Sequence, residues 1–229
     1  MRRLFVPTRD IECWRGLLAD PQKQWKEKRS AYELAHSWEA KDVRKSPRGL
    51  PAKVAAVLDT SPRMEGAVLL IGLPEHKVGL PGRGHASQTD LWALLRVGSS
   101  LVSMAVEAKA GETLGPVVAK WLDHSSSGRR ARLDAIREYL GLEQADLDPI
   151  RYQLLHRAAS AVLEARRFGA SAALLAVQSF AREDREKSLD DVRAFARLYE
   201  AEVEEDRVAV LSTGSGIPLY LAWINDAPS

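Results

Sequence analysis

Two residues, Gly98-Ser99, separate the apolar runs LWALLRV and SLVSMAVEAK, and this junction narrows the fold more than any other feature of the chain. A two-residue turn with glycine first matches the twist of an antiparallel β-hairpin. If Val97 faces Ser100, paired residue numbers sum to 197, and a four-residue loop from Val97 to Ser100 keeps the same sum. Either loop predicts Asp90 opposite Glu107 and Gln88 opposite Lys109. Directly opposed residues have Cβ atoms about 4.5–5.5 Å apart. Glu107 and Lys109, two positions apart, point the same way, roughly 6–7 Å from each other. Val102, Met104, Val106 and Ala108 form an apolar row on the other face.

The surrounding pattern predicts helices, then strands, then a mixture. Asp20-Pro21 has a capping aspartate before a first-turn proline. In RSAYELAHSWEA, the residues Ala31, Leu34, Ala35 and Trp38 recur at helical spacing. Leu50-Pro51 starts a shorter helix, with RKSPRG (44–49) as the connecting loop. AVLLIGL reads as a strand buried on both faces, HKVGL as a second short strand, and PGRGHAS as the loop into the hairpin. Helices follow around 117–122, 128–140 and 149–168, the last stopped by Gly169. SAALLAVQSF is a strand, SLDDVRAFARLYE a helix, and VAVLS with IPLYLAWI a closing strand pair around Thr213-Gly214-Ser215-Gly216. IPLYLAWI is apolar enough to be a pairing edge or core. The expected class is α/β (mixed α+β), a mostly antiparallel or mixed sheet flanked by helices. One domain spans 1–229, with a helical part over 1–64 and an α/β core over 65–225.

Two carboxylates held face to face repel, and three remedies exist: a shared proton, a salt bridge to a cation, or a bound metal. Lys109 alone can supply the second. An oxygen-only ligand set favours Mg²⁺ or Mn²⁺ over zinc.

Asp90, sixteen residues, then Glu107-Ala108-Lys109 resembles the catalytic signature of the PD-(D/E)XK nuclease superfamily, with Glu-X-Lys on one strand and the aspartate at the start of the preceding one. The residue before Asp90 is Thr89 where the literal motif has proline. The resemblance implies a restriction-endonuclease-like core and metal-dependent hydrolysis of phosphodiesters, in DNA before RNA. Asp90 and Glu107 would hold Mg²⁺ or Mn²⁺, and Lys109 would assist water activation and stabilise charge on phosphate. Members of that superfamily often add an acid from the first helix. Glu39 is the candidate further metal ligand here, because Glu33 falls opposite the apolar stripe. They also carry a glutamine on the following helix, which points to Gln153, with His156 one turn on in RYQLLHR. Glu112 is a candidate second ligand or loop residue, and Gln88 and Ser87 a polar approach to phosphate. The same residues also suit an inactive nuclease-like fold that binds nucleic acid or another protein.

The remaining signals are weaker. Lys+Arg 33 against Asp+Glu 31 gives a net charge of +2, so charge alone announces no nucleic-acid partner. The basic residues do cluster at Lys23 to Arg29, Arg44 to Arg48 and Arg129 to Arg132. The single Cys13 suits a reducing cytoplasm and a minor core role. MRRLFVPTRD lacks the apolar stretch of a signal peptide, and no segment has the length of a membrane span. The five histidines show no zinc spacing, though His85 lies in the loop beside the predicted site. Thr213–Gly216 lacks the lysine of a phosphate loop. The expectation is a cytoplasmic protein, acting as a homodimer or with a partner protein that supplies specificity.

Overall fold

The fold is known from a computed structural model that describes residues 10–82, 85–123, 127–181, 185–212 and 216–228. The first nine residues, His124 and Thr213-Gly214-Ser215 of the closing turn lie outside the described residues.

The N-terminal part is helical as its periodicity predicts. Asp20 caps α2 (Pro21–Gln24), its side chain accepting from the Lys23 amide, after the short α1 (Glu12–Arg15). Next come α3 (Ser30–Trp38), α4 (Lys41–Lys45) and α5 (Ala52–Leu58). Helix α4 takes up Arg44 and Lys45, so the expected 44–49 loop is shorter than its composition suggests.

Three antiparallel strands follow: β1 (Val68–Val78), β2 (Ser87–Val97) and β3 (Ser100–Lys109). The two strands expected over 67–80 are one, because Pro74 and Glu75 are accommodated within β1, where Glu75 takes a left-handed φ of 53°. The β2–β3 ladder runs from Val97↔Ser100 to Leu91↔Val106, on the predicted sum. Helices α6 (Val118–Leu122), α7 (Ser127–Leu140) and α8 (Tyr152–Phe168) then lead to β4 (Ala172–Ser179), which lies parallel to β3. Gly169 ends α8 at φ 64°, a conformation glycine adopts without a Cβ penalty. After α9 (Arg185–Arg197), β5 (Val208–Ser212) and β6 (Leu219–Asn225) complete a mixed sheet of order β1-β2-β3-β4-β6-β5. IPLYLAWI is therefore an interior strand between β4 and β5, not a pairing edge. Its burial, with Leu221, Ala222 and Trp223 inaccessible, explains its apolarity.

The sheet carries a hydrophobic core on each face. Leu34, Ala35 and Trp38 of α3 and Val54, Val57 and Leu58 of α5 pack against Val102, Met104, Val106 and Ala108. On the other face α7, α8 and α9 pack against Ala105, Leu175, Val177 and Trp223. β4 is buried along all eight residues, as expected of a parallel strand covered on both sides. None of the described helices is long and apolar enough to cross a membrane.

Candidate functional site

Side-chain alternation sends Glu107 and Lys109 toward α8, opposite the apolar row of Val106 and Ala108. Both are buried, at 1% and 6% exposure. The β2–β3 ladder stops at Leu91↔Val106, one residue before Asp90. There the strands part, and the Asp90 carboxylate fills the gap, its Oδ2 accepting from the Ala108 amide at 2.8 Å. Asp90 and Glu107 thus meet near the end of the ladder, not across a hydrogen-bonded pair. The β2–β3 ladder does not extend to Lys109, nor to Gln88. The Cα partner of Gln88 is Lys77 of β1, and β3 continues beside β4, where Lys109 pairs with Ser179.

Glu107 is saturated. Its Oε1 accepts from Lys109 Nζ at 2.7 Å and Gln153 Nε2 at 2.6 Å, and its Oε2 from Arg157 Nε at 2.6 Å. Gln153 Oε1 in turn accepts from Lys109 at 3.2 Å. Arg157, 6% exposed, also lies 3.9 Å from Asp90 Oδ1, so one guanidinium spans both carboxylates. It donates to Ser87 Oγ at 3.2 Å, and that hydroxyl sits 2.8 Å from His156 Nδ1.

A third acid joins from β1. By register Glu75 falls opposite Asp90, since the neighbouring pairs are Pro74↔Leu91 and His76↔Thr89. Its Oε2 accepts from Gln88 Nε2 at 2.6 Å. The left-handed φ at Glu75 interrupts strand alternation and also turns His76 toward α8, where it meets Glu164 at 3.4 Å and the Trp92 ring. A non-glycine residue held in this conformation stores strain of order 1–3 kcal/mol.

The charges sort the three acids. Burial pushes Glu107 up, but Lys109 and Arg157 together hold it down at about 2. Burial, then the charge of Glu107, raises Asp90 to about 7. Burial, then Asp90, raises Glu75 to about 8. Burial opposes the charge on Lys109, yet Glu107 and Asp90 outweigh it and raise its pKa. Lys109 is therefore an ammonium in this arrangement, suited to stabilising negative charge and not to removing a proton. Burial and then Arg157 depress His156 well below the usual imidazole range, so it is neutral.

The other sequence candidates separate. Glu39 does not join the site. It caps α3 on the far face of the sheet, accepting from Trp14 Nε1 and pairing with Arg44 at 3.3 Å. Glu33, placed by periodicity on the outer side of α3, is buried and accepts from the Lys28 amide. Glu112 accepts from the amides of Ser30 and Ala110, tying the end of β3 to α3. It shares with Glu75 and Asp90 a cleft of about 460 Å³, rimmed by Lys23, Lys26 and Arg29. The first basic cluster thus borders the acids, whereas Arg44 and Arg48 are committed to Glu39 and Asp59. Arg157 and Glu75 were not anticipated. Arg157 stands four residues after Gln153, on the same helical face, which is the signal that would have found it. Finding Glu75 required the β1–β2 register, which the long loop after Val78 conceals.

Among the described residues no three of His, Cys, Asp and Glu form a ready metal cluster. The donor chemistry nevertheless fits a hard dication: the ligands are oxygens, and the raised pKa values of Asp90 and Glu75 mark crowded negative charge that such an ion would relieve. Binding one through Asp90 and Glu107 requires Arg157 to withdraw.

No curated protein and no solved structure matches the chain. One family matches residues 7–228, almost the whole length, and its description is a domain of unknown function, DUF6946. The chain belongs to that family.

Proposed function

We propose that the protein is a metal-dependent nuclease that hydrolyses phosphodiester bonds in DNA, using Asp90, Glu107 and Lys109. The observation that carries this reading is the convergence of Asp90 and Glu107 on one cation, Arg157, beside a lysine and a glutamine, where a basic-rimmed cleft opens. The chain order also supports it: three antiparallel strands, three helices ending in the long α8, then a strand parallel to the third.

Asp90 and Glu107 would hold Mg²⁺ or Mn²⁺, with Glu75 reinforcing the site once deprotonated. A divalent ion there supplies Lewis acidity toward water and phosphate. Lys109 offers a fixed positive charge to the oxygens that gain negative charge during displacement. Gln153, bonded to both Lys109 and Glu107, orients them. Lys23, Lys26 and Arg29 take neighbouring phosphates of the strand.

The test is incubation with plasmid and with single-stranded DNA and RNA, in Mg²⁺ or Mn²⁺, alongside Asp90→Asn and Lys109→Met. Cleavage of DNA by wild type should fall by about 100-fold or more in both variants. Equal cleavage by all three removes the proposal, and cleavage of RNA alone replaces its substrate.

The saturated Glu107 favours a second reading, a nuclease-like fold whose site is closed by Arg157 and whose role is binding. Calorimetric titration with Mn²⁺ separates the two. Heat that disappears in Asp90→Asn supports the nuclease, and its absence in wild type supports the binding module.

A further inference from the structure

Arg157 also lines a second pocket, of about 370 Å³. Its walls include Arg129, Arg132 and Arg157 with His85 and His156, and among the described residues no carboxylate lines it. Arg132 is the informative member. It is 6% exposed, and its Nε and one terminal nitrogen donate to the carbonyls of Pro81 (3.3 Å) and His85 (2.6 Å). No carboxylate of the described residues pairs with it. Burying a guanidinium without a counter-anion is unfavourable unless something negative joins it.

The neighbours point the same way. Arg129, in the first turn of α7, donates to the Trp121 carbonyl and lies 5.6 Å from that ring, with no carboxylate partner among the described residues. Tyr152 opens α8 and stacks on Trp121 at 3.7 Å, and its buried hydroxyl faces the Arg132 guanidinium without a well-formed hydrogen bond among the described residues. Helix first turns add positive potential. Both rings of the stack are occupied, one by the other and Trp121 by Arg129, so the pocket offers cations and a hydroxyl and not a free stacking surface.

We propose that this pocket binds a phosphate group of the nucleic-acid strand, next to the one being cleaved. Naming nucleic acid as the source rests on the proposed function; the anion chemistry stands on the pocket itself. Because Arg157 lines the pocket and also holds Glu107 and Asp90, a phosphate here gives that guanidinium a second partner and ties substrate arrival to release of the acids.

The test is calorimetric binding of thymidine 3′,5′-bisphosphate at low salt with EDTA, where metal-dependent cleavage cannot contribute. Saturable binding is expected, with none for thymidine. Arg129→Gln should weaken it by about tenfold, Arg132→Lys should also weaken it, and Lys45→Gln, the same loss of charge on α4, should leave it unchanged. No saturable heat, or equal losses in Arg129→Gln and Lys45→Gln, overturns the pocket. Binding without DNA cleavage in Mn²⁺ sinks the nuclease reading alone, and cleavage without binding sinks the pocket alone.

Discussion

Arg157 occupies the position that decides how the acids behave. A buried carboxylate is tolerated only when paired, and Glu107 has two cations and an amide on its two oxygens. Removing one partner of such a pair costs about 3–5 kcal/mol, because the charge left behind has lost its compensation. Arg157→Met should therefore lower the metal-free stability by that order in urea denaturation. The methionine fills much of the same volume, so the loss reports charge more than packing. If Arg157 stands in for a dication, Mn²⁺ should restore more stability to Arg157→Met than it adds to wild type. A variant as stable as wild type without metal would show that Arg157 does not hold the cluster together.

At the scale of elements, α8 supplies Gln153 and Arg157 to the site, while the loop residues Pro81, Gly82 and His85 sit against α7 at Arg132. The β2–β3 hairpin was legible because its turn is two residues long, which leaves little freedom of register. The buried stripe of α3 was legible for the same kind of reason, a periodicity with few solutions. The parting of β2 and β3 at Asp90 was not, since it depends on a side chain replacing a ladder hydrogen bond. Nor was Glu75, whose place follows from a kink inside a strand. Arg157 was hidden by chemistry: an arginine in an amphipathic helix normally faces solvent, and only the acids opposite, Glu107 buried and Asp90 and Glu75 half-buried, explain this one. The loop makes its own prediction. A Cβ on Gly82, at φ 82°, would meet the Gly128 carbonyl at 2.5 Å and the Arg132 amide at 2.9 Å. Gly82→Ala must push the loop off α7, breaking the Arg132 bonds to Pro81 and His85. It should cost more than Gly98→Ala, where a Cβ meets nothing and only the φ of 56° is strained, at about 1 kcal/mol. Comparing the two melting temperatures checks this, and equal losses would mean the loop is not held by α7.

The whole molecule registers the acid cluster through the pH dependence of its stability. Glu75 and Asp90 have pKa values raised to about 8 and about 7 in the fold, against 4.5 and 3.8 when free. Between those limits the folded chain holds protons that the unfolded chain has released, so stability falls as pH rises. Glu107, lowered to about 2, works the other way and loses its contribution as pH falls below 4.5 toward 2. Lys109 and Arg157 stay cationic throughout. His156, held neutral in the fold, opposes the trend below its ordinary 6.5, where the unfolded imidazole takes up a proton, but one group does not outweigh two acids. From this cluster the metal-free protein should be most stable near pH 4–5 and should melt about 5 °C lower at pH 8. Glu75→Gln removes the acid with the highest pKa while keeping a partner for Gln88, and it should flatten the fall. Mn²⁺ at pH 8 should do the same in wild type, by compensating the carboxylates that ionise there. Melting curves for both proteins from pH 4 to 8 decide the matter: parallel profiles would mean that Glu75 does not share the charge of Asp90. The row of acids would then be three separate residues, and the case for a cation between them would fail with it.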